Sequence, residues 1–277
     1  MRKRFSIGEA LLYALLTLLA LVTLYPLINL VAVSLSPRAE YLRNPMMIFP
    51  TQIDVSAYRM VINNRLMWSS YRNTIIITLV GVTISMFLTA TMAYPLSEPG
   101  LKGRRWISAI YLFTMFFSGG MIPTISLLNR LQLLDNPLVY VLPAIYSFYN
   151  MLLIRTSFEA TPVALREAAL MDGVSEWKIF WKVYMPLNKP VLATVALFTA
   201  VFHWNDWFAG SYYISTDWMK PAATILQEML SEALGNLSNA SATGGAAITT
   251  TAQTLQMAFV VVITFPIMVV YPFLQKY

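Results

Sequence analysis

The chain has 277 residues, of which 57% are apolar and 12% are charged, with a net charge of +6 and a mean hydropathy of +0.60. Soluble globular domains carry about 25% charged residues, so this composition argues against a soluble enzyme and against a disordered chain. The chain has no cysteine, which excludes disulfides and thiolate metal sites.

Six apolar segments of 17 to 25 residues follow one another along the chain. Each is long enough for a helix to cross about 30 Å of hydrocarbon, and the first is longer than the core of a removable signal peptide. Together they contain 134 residues and one formal charge, that of Asp206. We therefore predict an all-α polytopic membrane protein whose single transmembrane domain covers 1–277. The predicted spans are 10–34, 73–96, 106–128, 138–154, 190–213 and 254–274.

Basic residues predict which way the spans run. If the N-terminus is cytoplasmic, the inside segments hold 12 of the 19 Lys and Arg in 56 residues, and the outside segments hold 7 in 87. The positive-inside bias applies to short loops, and two clusters meet that condition, Arg2-Lys3-Arg4 and Lys102/Arg104/Arg105. We therefore expect both termini in the cytoplasm, contact with anionic lipid, and no nucleic-acid partner.

The inside segment 155–189 contains residues that typically begin and end helices. Thr161 is a predicted N-cap, and Pro162 fits the first helical position, where its missing N–H costs nothing. Gly173 is suited to a left-handed cap at the end of that helix. The pattern predicts a helix over 162–172.

A second helix follows within the same segment. Ser175 offers an N-cap for a helix over 176–185, and Pro186 is predicted to end it. The segment as a whole is therefore a predicted helix–turn–helix at the membrane surface.

The first of these helices is too short to be stable alone and must be held by packing. Its alanines permit the close approach of another surface, so that Glu167 could reach a basic residue of a partner protein. In the alternative interpretation, the helix rests on lipid headgroups and Glu167 is merely solvated. The spacing alone favours neither.

The segment resembles the EAA motif of binding-protein-dependent ABC importer permeases, whose pattern is E-A-A-x-x-D-G-A, eight residues, then I-x-L-P. The matching residues are Glu167, Ala168, Ala169, Asp172, Gly173 and Pro186. Residues 93–105, 120–129 and 203–207 are also similar to the carbohydrate-uptake subgroup that includes the MalG-like and LplC-type permeases.

The resemblance implies the six-helix fold of type I (MetI/MalG-like) importers in a bacterial inner membrane. It also implies four kinds of partner: a homologous second permease, an ABC ATPase dimer, an extracytoplasmic solute-binding protein and an oligosaccharide. The matching motif residues would dock on the ATPase. No lysine precedes Ser or Thr, so the phosphate-binding G-x-x-x-x-G-K-[ST] motif is absent. We expect no cofactor on this chain, with ATP and Mg²⁺ used by the ATPase.

The fifth predicted span carries the candidate substrate-pathway residues Trp204, Asn205, Asp206 and Trp207. The two tryptophans are three residues apart and would share a helix face that stacks on a sugar, while Asn205 and Asp206 would take its hydroxyl groups. An ionisable residue within a span is by default a functional hypothesis. The alternative is an aromatic belt at the membrane interface. The single histidine, His203, is expected to be a hydrogen-bonded structural residue rather than a metal ligand.

Segment 234–254 is small, polar and Gly-containing, which is typical of a mobile loop. In maltose-type permeases a loop at this position reaches into the binding protein, so the resemblance makes Ser241, Thr243, Gly244 and Gly245 candidates for that role. A flexible connector is the alternative.

Two other classes of protein remain open on composition. An integral-membrane enzyme would need a cluster of acid–base or metal-binding groups at one surface, and the residues offer none. A secondary transporter or channel is disfavoured by the docking-type helix pair and by the lack of an evident internal repeat. We expect a non-catalytic permease subunit.

Overall fold

The computed structural model describes residues 7–243 and 249–274, which form helices joined by turns and irregular segments, without a strand among them. The prediction of an all-α chain is confirmed. The first helices are α1 (Ile7–Ser34), α2 (Arg38–Arg43), α3 (Ser56–Asn63), α4 (Arg65–Ser97), α5 (Arg104–Phe116), α6 (Met121–Arg130) and α7 (Phe148–Glu159). They are followed by α8 (Val163–Met171), α9 (Glu176–Ile179), α10 (Met185–Leu187), α11 (Lys189–Asn205), α12 (Phe208–Tyr213), α13 (Ala222–Thr243) and α14 (Thr249–Leu274).

The described residues divide into two compact units. One comprises those of Met1–Met67 and Leu226–Phe265, and the other those of Trp68–Ile225 and Pro266–Tyr277. In the first unit, Ala32 and Val33 of α1 pack with Met47 and Met257. The second unit contains all the predicted coupling and substrate-pathway residues. The single permease domain over 1–277 remains a prediction.

Within the part of the chain that the structure describes, two helices are long and apolar enough to cross a membrane, Leu11–Ser34 and Arg65–Ser97. Two bent pairs would raise the number to four if each pair is one span. These are α5 with α6, bent by 111°, and the stretch Glu176–Leu187 with α11, bent by 84°. A shorter apolar helix covers Gln253–Val269. The count of six spans remains a prediction.

Three predicted spans differ from the helices observed. Span 106–128 is broken before α6, where Gly120 has a φ of +84°, which favours glycine. Span 138–154 is α-helical only from Phe148, where the Ser147 hydroxyl accepts a hydrogen bond from the Asn150 N–H at 3.4 Å. Span 190–213 is interrupted after Asn205 and becomes helical again in α12. Hydropathy measures how apolar a segment is, but the caps and glycines within it decide where helices end.

The largest core cluster of the second unit joins α4, α7, α11 and the α9–α10 stretch. Aromatic rings dominate it: Tyr94 of α4 packs edge-on against Phe158 of α7 and against Tyr184, with ring centroids 6.3 and 4.9 Å apart. Phe158, Phe180 and Tyr184 are buried. This cluster supports the predicted coupling segment.

Candidate functional site

Helix α8 carries the first part of the predicted motif and ends as the sequence predicts. Gly173 has a φ of +73°, its N–H donates to Leu170 O at 3.0 Å, and the Val174 N–H donates to Ala169 O at 3.0 Å. These two bonds form a Schellman motif, the arrangement for which a glycine after the helix is preferred. Val174 and Ala169 both pack on the aromatic core, so the turn after α8 is tightly held.

The motif residues of α8 divide between two faces. Ala169 is half-buried, whereas Glu167, Ala168, Asp172 and Gly173 are exposed. The carboxylates of Glu167 and Asp172 make no hydrogen bond or ion pair with any described residue, and Met171 is 87% exposed. One helix face is therefore fixed to the protein, and the other presents two solvated carboxylates and a large thioether.

The predicted start of this helix is wrong by one residue. The N-cap is Pro162 instead of Thr161. The Thr161 hydroxyl is engaged elsewhere, because it accepts a hydrogen bond from Asn188 Nδ2 at 3.1 Å. Because its hydroxyl is bonded to Asn188, Thr161 does not cap α8.

An ion cluster that the motif did not reveal fixes α8 in place. Arg166 Nη1 lies 3.3 Å from Glu98 Oε2, in the turn after α4, and Arg166 Nη2 pairs with Glu176 Oε1 at the start of α9. The Tyr94 hydroxyl donates to Glu176 Oε2 at 2.6 Å. The sequence does show opposite charges at positions 98, 166 and 176, but they are too far apart along the chain for their pairing to be predicted.

The electrostatics of this cluster favour its charged state. Burial acts to raise the pKa of Glu176, but the hydrogen bonds from Tyr94 and Arg166 and the charge of Arg166 hold that pKa below its ordinary value. Burial likewise acts to lower the pKa of Arg166, and the two carboxylates raise it instead. Both groups are thus ionised at neutral pH, and the pair links α8 to α9.

The second predicted helix is longer than expected. It runs through α9, a π-helical turn at Phe180–Tyr184, and α10, so Pro186 lies inside the last turn and does not end it. The missing N–H of Pro186 is tolerated there, because Pro186 stands in the first turn of α10, directly after the π-helical turn. The helix breaks at Asn188 instead.

Asn188 is a buried polar residue at the 84° bend between α10 and α11. Its Nδ2 donates to Tyr184 O at 2.9 Å and to Thr161 Oγ1, and its Oδ1 accepts from the Ser157 hydroxyl at 2.5 Å. One side chain therefore connects the end of α7, the start of the coupling segment and the start of α11.

A cavity of about 800 Å³ opens in the same unit, bounded by α4, α5, α7, α11 and α12. Its polar lining includes Asn150 and Thr199, joined by a 3.3 Å hydrogen bond, and one carboxylate, Asp206. None of the described residues that line it is a lysine or an arginine. Its aromatic lining is formed by Tyr140, Tyr146, Phe148, Tyr149, Phe198, Phe202, Phe208 and Tyr213. Such a cavity offers rings and hydroxyl or amide groups to a polar, ring-shaped solute.

The structure brings only one of the four predicted pathway residues to this cavity, Asp206. Asp206 ends α11 and its Oδ1 accepts from the Ala209 N–H at 3.2 Å, so Trp204 and Trp207 do not share a helix face as predicted. Trp204 packs edge-on against Tyr71, with centroids 6.3 Å apart. Asn205 is exposed and donates to Val201 O at 2.9 Å.

His203 lies on the buried side of α11 and is 1% exposed. Neither ring nitrogen has a hydrogen-bond partner among the described residues. The described residues contain no group of three or more His, Cys, Asp or Glu that could hold a metal ion.

The predicted loop between the last two spans is partly helical. Helix α13 continues to Thr243 and α14 begins at Thr249, so the loop prediction is wrong for 234–243 and 249–254. Serine, threonine and asparagine are weak helix formers, but neighbouring helical turns override that preference. Ser241 and Thr243 lie in the last turns of α13, and Gly244 and Gly245 lie outside the described residues.

Comparison with known proteins relates this arrangement to transport. The family model described as "Binding-protein-dependent transport system inner membrane component" matches residues 55–277. The chain is 33% identical to the polygalacturonan/rhamnogalacturonan transport system permease protein YtcP of Bacillus subtilis, over 97% of this chain and 94% of that protein. It is 37% identical to Protein LplC of the same organism, over 92% of this chain and 86% of that protein.

Solved structures give the same relationship. A chain of a bacterial ABC transporter involved in the import of the acidic polysaccharide alginate superposes with a TM-score of 0.85 at 34% identity, over 99% of both chains. A chain of a bacterial alginate ABC transporter in complex with an alginate pentasaccharide-bound periplasmic protein has a TM-score of 0.61 at 14% identity, which shows a shared fold.

Proposed function

The chain belongs to the family of binding-protein-dependent transport system inner membrane components, and from this premise we propose that it forms half of the translocation pathway of an ATP-driven oligosaccharide importer. The importer-permease fold predicted from the sequence is confirmed. Several relatives are named for the transport of polymeric or oligomeric sugars, among them polygalacturonan, arabinooligosaccharides and alginate. The aromatic, hydroxyl-lined cavity supports a saccharide substrate.

The proposal assigns the energy source to other subunits. A homologous permease would complete the pathway, an ABC ATPase dimer would bind ATP and Mg²⁺, and a solute-binding protein would deliver the oligosaccharide. No lysine of this chain precedes Ser or Thr, so it lacks the usual phosphate-binding loop. We propose that both termini and segment 155–189 face the cytoplasm, where the ATPase would be.

One observation carries the coupling role: α8 is fixed on one face and unpaired on the other. The Gly173 turn and the Arg166 cluster fix its position, while Glu167 and Asp172 have no partner among the described residues. Exposed carboxylates on a rigid helix suit charge-assisted hydrogen bonds to arginines of another protein. Movement of the ATPase would then pass through α9 and α10 to the bend at Asn188.

Alternating access follows from this arrangement if ATP and the loaded binding protein favour one of two permease conformations. A ligand shifts such an equilibrium only by its difference in affinity for the two states. The fixed contacts of α8 would transmit closure of the ATPase dimer into rotation of α11 against α7, and so into opening or closing of the cavity.

Cross-linking tests this function directly, because the chain has no cysteine to remove. We expect a cysteine introduced by Met171→Cys, at the exposed end of α8, to form a cross-link with the ATPase subunit in the assembled importer. Met46→Cys, which is also exposed but lies outside segment 155–189, is the matched control and should give none. If Met171→Cys cross-links efficiently to lipid and gives no product with the ATPase, the alternative interpretation is supported, in which α8 rests on lipid headgroups.

The same two variants test the orientation. In intact cells a membrane-impermeant thiol reagent should label Met46→Cys, and it should label Met171→Cys only after the membrane is opened. Labelling of Met171→Cys in intact cells would overturn the proposed orientation.

A further inference from the structure

A second cavity of the Trp68–Ile225 unit, of about 750 Å³, lies at the start of α5 and is unrelated to the pathway residues. Three arginines line it: Arg104 and Arg105 of α5 and Arg155 of α7. Over 7–243 and 249–274, no aspartate or glutamate contributes to its lining. A cavity lined by cations alone attracts an anion.

The charges around this cavity do not balance. Arg104 Nη2 and Arg155 Nε both pair with the same oxygen of one carboxylate, Glu159 Oε1. Arg155 Nη1 also donates to Ser108 Oγ at 2.9 Å. The Arg105 guanidinium makes no ion pair with any described residue. Three guanidinium groups therefore share one carboxylate, which leaves two positive charges in excess.

The cavity also has a hydrogen-bond donor that lacks an acceptor. Arg104 Nε is buried and has no hydrogen-bond partner among the described residues. A buried donor without a partner is unfavourable unless a ligand or water supplies an acceptor. Guanidinium groups match phosphate oxygens in geometry as well as charge.

An exposed apolar stripe on α5 begins at the cavity. Trp106, which lines the cavity, is 76% exposed, Ile110 is 65% exposed and Phe113 is 58% exposed. Their spacing of four and three residues places them on one helix face. Tryptophan is typical of the membrane–water interface, where headgroups meet acyl chains.

We propose that this cavity binds the phosphate headgroup of an anionic phospholipid, with an acyl chain along the Trp106–Ile110–Phe113 stripe. A free phosphate would use the arginines but would leave the apolar stripe uncovered, whereas a phospholipid satisfies both. Basic pockets between membrane helices bind anionic headgroups by the same physical arrangement.

Native mass spectrometry of the assembled importer, extracted from bilayers of phosphatidylglycerol and phosphatidylcholine, tests this site. We expect retained phosphatidylglycerol, and we expect Arg105→Gln to reduce the retained fraction about fivefold, which corresponds to about 1 kcal/mol for one surface cation. Lys102→Gln is the matched control, because it removes the same charge three residues before Arg105, at a residue that does not line the cavity. Arg105→Lys keeps the charge but not the guanidinium geometry, so it should retain more lipid than Arg105→Gln and less than the unchanged protein.

Three outcomes would overturn the proposal. Equal losses in Arg105→Gln and Lys102→Gln would show attraction to surface charge in general. Displacement of the retained lipid by millimolar inorganic phosphate would show an anion site without a lipid role. Retention unchanged in Arg105→Gln would show that lipid binds elsewhere on the importer.

Discussion

At the scale of single residues, Gly81 of α4 and His203 of α11 make one of the close fits of the second unit. A Cβ atom added at Gly81 would lie against the imidazole, with Cδ2 at 2.7 Å and Cε1 at 2.8 Å. Small residues allow helices in membranes to approach closely, and here the glycine makes room for a fully buried ring. His203 is thus buried by packing against α4, but the hydrogen bond expected of it is not observed among the described residues.

We predict that Gly81→Ala destabilises the permease by about 1–3 kcal/mol, the usual cost of overpacking a tight core. The added methyl group has no space unless the imidazole or a backbone segment moves. The melting temperature of the purified importer measures the effect.

Two variants make this test specific. Gly119→Ala should leave the melting temperature unchanged, because its Cβ would meet Pro123 Cβ at an ordinary 3.7 Å. Adding His203→Ala to Gly81→Ala should restore part of the loss by removing the ring. A double variant that is less stable than the sum of the two single variants would contradict the contact.

At the scale of elements, the coupling segment is held by a few long-range contacts rather than by its own helical propensity. Helix α8 has nine residues, too few to be stable alone in water. Arg166 joins it to the turn after α4 and to the start of α9.

We predict that Arg166→Gln increases amide hydrogen exchange in 163–174 about fivefold, because partly exposed ion pairs contribute roughly 1 kcal/mol or less to local stability. Lys178→Gln, which removes an exposed cation of α9 without an ion-pair partner among the described residues, is the control. Equal exchange rates in the two variants would contradict a fixing role for Arg166.

A pH dependence follows from the lowered pKa of Glu176. Its carboxylate stabilises the segment fully above the ordinary pKa of 4.5, and this contribution is lost as the pH falls through the lower folded-state value. We predict that a nitroxide label on Met171→Cys becomes more mobile only below about pH 4.5. In Glu176→Gln the mobility should be high at neutral pH and independent of acidification, and a transition retained in that variant would assign the effect to another group.

Local sequence predicted some ends of these elements and missed others for one physical reason. Gly173 was predictable, because a left-handed residue after a helix needs no distant partner. The caps at Thr161 and Pro186 were not, because Thr161 is engaged by Asn188 and the π-helical turn shifts the register before Pro186. The end of α11 at Asn205 likewise puts Trp204 and Trp207 on different segments, and the local sequence did not predict this break.

At the scale of the whole molecule, composition predicted a helical membrane protein, and the motif predicted its family. Neither predicted the cavity, because its lining comes from five α-helices and from segment 139–147, which is not α-helical before Phe148 although hydropathy assigns it to a span. The cavity's rings and hydroxyl groups are ordinary apolar-span residues in the sequence, and only their convergence suggests a saccharide path. Asp206 is the one carboxylate among the described residues that line it.

The cavity assignment leads to a test with two matched tyrosines. Tyr149, which lines the cavity, and Tyr212, which does not, are 50% and 49% exposed. We predict that Tyr149→Ala lowers oligosaccharide uptake into proteoliposomes about tenfold at saturating loaded binding protein, since losing one aromatic contact costs up to about 1.5 kcal/mol. ATP hydrolysis should persist, because α8 and its cluster are untouched. Tyr212→Ala should transport normally. Equal impairment of both variants would mean that the rings support the fold alone, and unimpaired uptake in Tyr149→Ala would place the sugar path elsewhere.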